Sequence, residues 1–234
     1  MVTPTVIFDL DGTLVDTAPD LVAALNFVIG REGAPPIAYD AARKMVGRGA
    51  RSMIERGLAV GGRKLAAGEL NRLVEDFIAY YAEHIADRSR PFPGLEATLD
   101  ELAADGYRFA VCTNKLEGLS RRLLDALGLS SRFVAICGAD TFGIQKPNPE
   151  LLRRTIARAT GDTGRAVMVG DSDIDIATAR AAGVPVVGVD YGYTEIPVAE
   201  LAPDQVISAL SELPQAVFAL LGTGSGSPAR SGHG

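Results

Sequence analysis

The sequence predicts an α/β fold in which an open parallel sheet forms the core and a helical domain is inserted into it. Short apolar, partly β-branched runs recur along the chain, a pattern typical of parallel strands that are buried on both faces. Helical patterns separate these runs, and several of them end at a glycine. The first run is followed by a stretch far longer than an ordinary strand-to-helix connection, which indicates an insertion.

Five apolar runs are predicted as core strands, and a weaker run is predicted as an edge strand. The core strands are predicted at residues 5–8, 109–112, 133–136, 166–169 and 184–189, and the edge strand at 206–207. The helices between them are predicted at residues 95–105, 116–127, 149–160 and 172–182. This alternation predicts right-handed crossovers in a Rossmann-like sheet, so we expect ligands at the carboxyl ends of its strands.

The insertion is predicted to be an α-helical cap at residues 17–88, between core segments 1–16 and 89–221. Its helices are predicted at residues 19–30, 39–45, 50–58 and 66–87, separated by glycine and proline. The chain leaves and re-enters the core through residues 15–17 and 88–93, which we expect to act as hinges. Asp16 and Asp20 are interpreted as hinge and helix N-terminal residues rather than catalysts. The Gly/Ser-rich segment 222–234 is predicted to be a disordered tail.

Composition argues against several classes of function. The 234 residues carry a net charge of −6 with no basic cluster, so we expect no nucleic-acid partner. No apolar run approaches the roughly 18 residues that a membrane-spanning helix needs, and no apolar leader is visible, so we expect no membrane association. The two cysteines lie inside apolar runs, which indicates a reducing, cytoplasmic location. The two histidines stand alone, too few for a histidine-based metal site.

Acidic, hydroxyl and lysine side chains follow the predicted strands at one edge of the sheet. Asp9 and Asp11 come directly after the first strand, where an Asp-Gly pair alone would indicate only an ordinary turn. Thr113 follows the second core strand, Lys146 stands just before a helix start, and Asp171 follows the fourth strand. Since the carboxyl ends of parallel strands share one edge, we expect these groups to converge.

Taken together, these segments resemble the haloacid dehalogenase superfamily, specifically its phosphatase branch with a helical cap. The resemblance covers residues 5 to about 213, and within the superfamily the phosphoglycolate phosphatase group is the most similar. The segments that carry it are Asp16-Thr17-Ala18-Pro19-Asp20, Val46-Gly47-Arg48-Gly49-Ala50, Thr113-Asn114-Lys115, Lys146-Pro147-Asn148-Pro149 and Tyr191-Gly192-Tyr193. This resemblance implies hydrolysis of a phosphate monoester through an aspartyl-phosphate.

The resemblance also implies a role for each residue at the sheet edge. Asp9 would be the nucleophile, and Asp11, on the same side of the strand end, would act as general acid and then general base. The carboxylates of Asp9 and Asp171, with the backbone carbonyl of Asp11, would bind Mg²⁺ through oxygen ligands. Thr113 and Lys146 would stabilise the charge of the transferring phosphoryl group.

Five further residues complete the predicted site. Asp175 would orient the metal waters or the lysine, and the amide of Asn114 would help to cradle phosphate. In the cap, Gly47 and Gly49 permit close approach, and Arg48 adds a fork of donors near a helix start. This loop is predicted to bind a small carboxylate such as that of phosphoglycolate. We therefore expect the partner to be a small phosphorylated metabolite.

Other functions stay open from the sequence. A phospho-accepting signalling module also combines an acceptor aspartate, magnesium-binding acids, a threonine and a lysine on a parallel sheet. Such a module would lack the inserted cap and the second acid. On the same scaffold, the alternatives are a phosphatase for another small metabolite, a pyrophosphatase or a sugar-phosphate mutase. The physiological substrate and the choice between monomer and homodimer are left open, because specificity lies in the cap rather than in the shared core.

Overall fold

The computed structural model describes residues 3–63, 65–159 and 165–222; the predicted tail lies outside the described residues from position 223 onward. Strands β1 to β8 lie at Thr5–Phe8, Val15–Asp16, Arg90–Pro91, Arg108–Cys112, Ala135–Cys137, Ala166–Gly170, Val186–Val189 and Gln205–Ile207. Helices α1 to α9 lie at Ala18–Arg31, Tyr39–Arg43, Gly49–Val60, Ala67–Glu83, Leu95–Ala104, Glu117–Ala126, Pro149–Ala159, Asp173–Ala182 and Leu213–Leu221.

Six of these strands form one parallel sheet. Their order is β5-β4-β1-β6-β7-β8, so β1 lies between β4 and β6 near the centre. Helices connect most neighbouring strands, as a parallel arrangement requires. The predicted open parallel α/β core is therefore confirmed.

Some element ends differ from the prediction. The sequence predicts the third core strand at 133–136, whereas it lies at Ala135–Cys137. A 3₁₀ turn at Ser130–Arg132 precedes it, so Phe133 enters the core while Val134 stays half exposed. The strand predicted at 184–189 begins only at Val186, after Pro185, which has no N–H to donate to a sheet. Helix α9 is not predicted from the sequence at all.

Successive side chains of β1 pack into two different apolar layers. Val6 and Phe8 belong to one layer, which includes Val111 of β4. Ile7 belongs to the layer on the opposite face, together with Leu152 of α7. All of these side chains are fully buried. Because both faces of β1 are covered, every position of the strand is apolar, and the strand is recognisable in the sequence.

Helices α1–α4 lie between β2 and β3, in the range predicted for the cap. They pack through fully or almost fully buried side chains, namely Leu25, Ile54, Leu73 and Phe77. Strands β2 and β3 pair antiparallel, so the two connections between core and insertion run side by side as a ribbon. The predicted domain boundaries and hinge motion stay predictions. Across the described residues, no helix is both long and apolar enough to cross a bilayer.

Asp20, in the first turn of α1, ties the two connections together. Its buried carboxylate accepts hydrogen bonds from the backbone N–H groups of Arg88 and Ser89 at 2.8 to 3.1 Å. The hydroxyl of Ser89 adds a further bond at 2.7 Å. The carboxylate therefore satisfies donors of the returning chain, in addition to lying at a helix N-terminus as the sequence predicts.

Asp20→Ala is expected to destabilise the protein by about 1–3 kcal/mol, because it leaves buried N–H and O–H donors without an acceptor. The measurement is the free energy of unfolding in urea. Asp87→Ala is the matched control, since the Asp87 side chain is 59% exposed and, within the described part of the chain, forms an ion pair with His84 alone. It should change stability by less than about 0.5 kcal/mol. Equal stabilities of the two variants would contradict the role of Asp20.

Candidate active site

The carboxyl edge of the sheet brings the predicted catalytic residues together. Asp9 directly follows β1, Thr113 directly follows β4 and Asp171 directly follows β6. Lys146 reaches this edge from the loop between β5 and α7, and Asp175 reaches it from the first turn of α8. All five side chains are buried. The convergence follows from topology, because β1 has β4 on one side and β6 on the other.

Three carboxylates at this edge form a compact acidic cluster. Oxygens of Asp9, Asp171 and Asp175 lie within 4.8 Å of one another. Burial, followed by the charges of Asp175 and Asp9, raises the pKa of Asp171 from 3.8 to about 8. Burial also raises the pKa of Asp9 to about 6, although the nearby charge of Lys146 lowers it. Both shifts have one cause: negative charge is crowded into a dry site.

Lys146 is the cation within this cluster. Its ammonium group donates to Asp175 Oδ1 at 2.6 Å and lies 2.9 Å from Asp9 Oδ1. The second contact has an ion-pair distance without hydrogen-bond geometry, and Asp9 Oδ1 has no hydrogen-bond partner among the described residues. Burial lowers the pKa of Lys146, but the charges of Asp175 and Asp9 outweigh it and raise the pKa above its ordinary value. The amine is therefore protonated.

Asp171 is held from two directions. Its Oδ1 accepts from the Thr13 hydroxyl at 3.2 Å, and its Oδ2 accepts from the backbone N–H of Tyr193 at 2.7 Å. Two glycines pack against the same side chain. A Cβ on Gly12 would lie 2.6 Å from Asp171 Oδ2, and a Cβ on Gly192 would lie 2.2 Å from Asp171 Cβ. Neither position has room for a side chain, so the two turns fix this carboxylate.

Asp11 has partners of its own. Its carboxylate accepts from the Thr17 hydroxyl at 2.7 Å and from Lys115 Nζ at 2.7 and 2.9 Å. The ammonium of Lys115 also lies 4.6 Å from the centre of the Tyr81 ring, a cation–π contact with helix α4. Thr17 precedes the first helix of the insertion, so the side chains around Asp11 come from both the core and the insertion.

The charge of the buried site fits a divalent cation. Four buried carboxylates, those of Asp9, Asp11, Asp171 and Asp175, face two buried lysines. When all six groups are ionised, two negative charges are in excess, and uncompensated buried charge is costly. Asp9 Oδ1 contacts Lys146 as an ion pair but has no hydrogen-bond partner among the described residues, so it is a further candidate oxygen ligand at the cluster. Carboxylate oxygens are the ligands that hard divalent cations prefer, so this cluster is compatible with a metal site.

Asn114 connects the insertion to Lys146. Its side-chain oxygen accepts from the Lys146 N–H at 2.8 Å, and its amide donates to the Lys146 carbonyl at 3.2 Å and to the Gly47 carbonyl at 3.3 Å. The side chain thus fixes the backbone that carries Lys146. The predicted part of the Asn114 amide in phosphate binding stays a prediction.

The predicted carboxylate-binding loop lies next to these residues. Gly47 and Gly49 both have positive φ angles, 103° and 83°, which favour glycine. Arg48 between them forms an ion pair with Asp173 of α8 at 2.7 Å, and both side chains are about half exposed. The guanidinium is therefore engaged with the core in this structure. Its predicted binding of a substrate carboxylate stays a prediction.

A cavity of about 210 Å³ lies between the core and helices α1, α3 and α4. Its floor is polar and is formed by Asp9, Asp11, Thr113 and Lys115. The opposite wall is mainly apolar and includes Met53, Phe77, Ile78 and Tyr81. A cavity of this size suits a small molecule, with its charged end on the core and its other end against the insertion.

The sequence model of one family, described as haloacid dehalogenase-like hydrolase, matches residues 6–189. This chain belongs to that family. The resemblance seen in the sequence motifs is therefore confirmed, and the residues at the sheet edge lie within the matched region.

Similar proteins agree with this assignment. A phosphoglycolate phosphatase of Caulobacter vibrioides is 50% identical to this hydrolase, over 93% of this chain and 92% of the relative. A phosphoglycolate phosphatase of Agrobacterium fabrum is 47% identical, over 92% of each chain. The crystal structure of a predicted phosphoglycolate phosphatase from Haemophilus somnus 129PT has a TM-score of 0.85 and 30% identity, and the match covers 92% of this chain and 97% of the other.

Several residues of this hydrolase site are missed by the sequence predictions. They are Thr13, Thr17, Tyr81, Lys115 and Tyr193, which contact Asp11 or Asp171 directly or through one another. One signal was available for Lys115, which stands two residues after Thr113 as Asp11 stands two after Asp9. No signal marks Tyr81, because it lies on the buried face of an amphipathic helix and is indistinguishable there from a core residue.

Proposed function

We propose that this hydrolase is a Mg²⁺-dependent phosphoglycolate phosphatase that acts through an aspartyl-phosphate on Asp9. The observation that carries the phosphatase chemistry is the presence of Asp9 and Asp11 together on the floor of the cavity. Curated relatives up to 50% identical are named phosphoglycolate phosphatases, which supports that substrate. The proposed partner is therefore a small phosphorylated metabolite that carries a carboxylate.

Asp9 is proposed as the nucleophile. A carboxylate oxygen attacks phosphorus, the bond between phosphorus and the ester oxygen breaks, and an aspartyl-phosphate forms. The contact with Lys146 favours the ionised, attacking form of Asp9. Oδ1 has no hydrogen-bond partner among the described residues, so its ion pair with Lys146 at 2.9 Å is the contact that orients this oxygen.

Asp11 is proposed as the general acid and base. In this role Asp11 enters the first step protonated and gives that proton to the departing ester oxygen, which leaves as an alcohol and leaves Asp11 as a carboxylate. It then takes a proton from the water that attacks the phosphorus of the aspartyl-phosphate, so that phosphate is released and Asp9 is regenerated. The bonds from Thr17 and Lys115 hold the Asp11 carboxylate in one orientation at the cavity floor.

Lys146 and Thr113 are proposed to stabilise the charge of the transferring phosphoryl group. Lys146 is protonated and lies beside Asp9, as this role requires. Asp9, Asp171 and the backbone carbonyl of Asp11 would hold Mg²⁺. When bound, the ion supplies positive charge that polarises the phosphoryl group. Asp175 positions the Lys146 ammonium through its 2.6 Å hydrogen bond.

Two features favour this function over a phospho-accepting signalling module. Helices α1, α3 and α4 form one side of the cavity. A signalling module must be accessible to another protein, so a wall at this place would not help it. The second acid, Asp11, supplies the proton transfers that hydrolysis needs. We also propose a cytoplasmic location, as expected from the sequence, and a protein that is either a monomer or a homodimer.

The substrate is tested by measuring phosphate release in Mg²⁺ from phosphoglycolate, ethyl phosphate, sugar phosphates, pyrophosphate and acetyl phosphate. Phosphoglycolate should have the highest kcat/KM, and Asp9→Asn should abolish release from every ester, because an amide is not a competent nucleophile. A higher kcat/KM for another ester would reassign the substrate. Isomerised sugar phosphate would indicate a mutase, and a long-lived phosphoprotein after acetyl phosphate would indicate a signalling module.

Asp11→Asn should lower turnover of alkyl phosphates by about 10² to 10⁴, the usual worth of general acid–base catalysis. The loss in the rate of aspartyl-phosphate formation should shrink for aryl phosphates, since a good leaving group needs less protonation. Rapid-quench measurement of the phosphoenzyme separates this step from its hydrolysis. Equal losses for alkyl and aryl esters in the first step would show that Asp11 is not the general acid.

Mg²⁺ should stabilise the fold, because it binds the native acidic cluster and has no such site in the unfolded chain. At about 100 times its dissociation constant the gain is about 2.7 kcal/mol, seen as a rise in Tm that a chelator reverses. Asp171→Asn should lose most of this rise. Asp173→Asn is the matched control, since that acid is half exposed and paired with Arg48, and it should keep the rise. Identical responses of the two variants would place the cation elsewhere.

A further inference from the structure

Lys115 carries a buried charge whose part in the proposed phosphoryl chemistry is limited to orienting Asp11. Its side chain is only 5% exposed and lies on the cavity floor. Among the described residues, its ammonium group donates hydrogen bonds to Asp11 alone. An ammonium has three N–H donors, so at least one is left for another acceptor. Lys146 already serves the cluster around Asp9, so Lys115 is a second cation at a different place on the floor.

Tyr81 lines the same cavity from helix α4, and its hydroxyl is a donor without a partner among the described residues. Its side chain is almost fully buried. A buried hydroxyl without a partner costs free energy, which indicates that a partner arrives with a ligand. Burial and the charges of Asp11 and Asp20 raise the pKa of Tyr81, so the phenol keeps its proton and remains a donor.

We propose that Lys115 and Tyr81 together bind the carboxylate of the substrate. This assignment rests on the proposed function, and it names the residues that distinguish phosphoglycolate from an uncharged ester. Lys115 supplies the positive charge, and the Tyr81 hydroxyl supplies a second hydrogen bond. A carboxylate has two oxygens and needs donors of this kind when it is buried.

The position of Lys115 matches the chemistry of the substrate. The leaving oxygen of the ester takes its proton from Asp11, so it lies one hydrogen bond away from that side chain. In phosphoglycolate the carboxylate is one methylene beyond the leaving oxygen. Lys115 Nζ also lies one hydrogen bond from Asp11, at 2.7 Å. Since Asp9 and Lys115 line the same cavity, one short molecule would place its phosphate at Asp9 and its carboxylate at Lys115.

Arg48 is a weaker candidate for this role. Its guanidinium is about half exposed and already forms an ion pair with Asp173. Both cations already have a carboxylate partner, so solvent exposure decides between them: water screens the attraction of the half-exposed Arg48 for an anion. Lys115 is desolvated, so its attraction for an anion is less screened.

The test uses two phosphonates that the enzyme cannot hydrolyse. 3-Phosphonopropionate keeps the carboxylate and the chain length of phosphoglycolate, and propylphosphonate has a methyl group in place of the carboxylate. Their dissociation constants are measured by isothermal titration calorimetry in Mg²⁺, for the wild-type protein and for Lys115→Met, Tyr81→Phe and Arg48→Ala. The quantity compared is the ratio of the two constants, in which any effect on the phosphonate end cancels.

The wild-type protein is expected to bind 3-phosphonopropionate about 10- to 100-fold more tightly, the worth of charged hydrogen bonds. Lys115→Met should bring the ratio near one. Tyr81→Phe, which keeps the ring and the Asp11–Lys115 ion pair, should lower the ratio about 3- to 10-fold and so tests the proposal even if Lys115→Met does not fold. Arg48→Ala should keep the ratio.

Two outcomes overturn the proposal: equal binding of the two phosphonates by the wild-type protein, or a preference that survives both Lys115→Met and Tyr81→Phe. A loss of the preference only in Arg48→Ala would assign the carboxylate to the cap loop instead. The proposed function fails separately. If the preference depends on Lys115 but phosphoglycolate is a poor substrate in the ester panel, the carboxylate site stands and the substrate is another carboxylated phosphate monoester.

Discussion

The buried charge at the carboxyl edge of the sheet is the constraint on which the rest of this structure depends. Four aspartates and two lysines are enclosed there, away from water. Such a set is costly unless each charge has a partner, and the excess of carboxylates leaves room for a divalent cation. Burial and the neighbouring negative charges raise the pKa values of Asp9 and Asp171, so both carboxyl groups ionise less readily. Such a site is compatible with the binding of a cation and a phosphate together.

The surrounding loops hold these charged side chains in position. Gly12 and Gly192 leave space for Asp171, and the Tyr193 N–H fixes one of its oxygens. Asn114 fixes the backbone of Lys146. A residue that must act on phosphorus has to be held within a fraction of an ångström, and backbone amides and buried side chains provide that rigidity better than solvent-exposed contacts.

The helices of the insertion provide part of the cavity lining. The core alone presents carboxylates and lysines, which suit phosphate from any ester. Helix α4 adds Tyr81 above Lys115, and the mainly apolar wall around it limits the size of the group attached to phosphate. Under the proposed function, discrimination between esters would depend on residues of the core and the insertion that line one cavity, and the bond-breaking chemistry would depend on the core.

The sequence by itself determined the parallel sheet, the helical insertion and the identity of the residues at the sheet edge. It could do so because β1 is buried on both faces and reads as an unbroken apolar run, and because motif residues such as Asp9 and Asp171 directly follow strands whose ends must meet. Tertiary structure alone decided which charges are paired: Lys115 with Asp11, Arg48 with Asp173, and Asp20 with the chain at Ser89. These contacts join residues that are distant in the sequence. No repeating pattern in the sequence marks such a pair, so the sequence alone could not predict it. Tyr81 shows the limit most clearly, since on a helix face a ligand-binding tyrosine and a core tyrosine obey the same pattern.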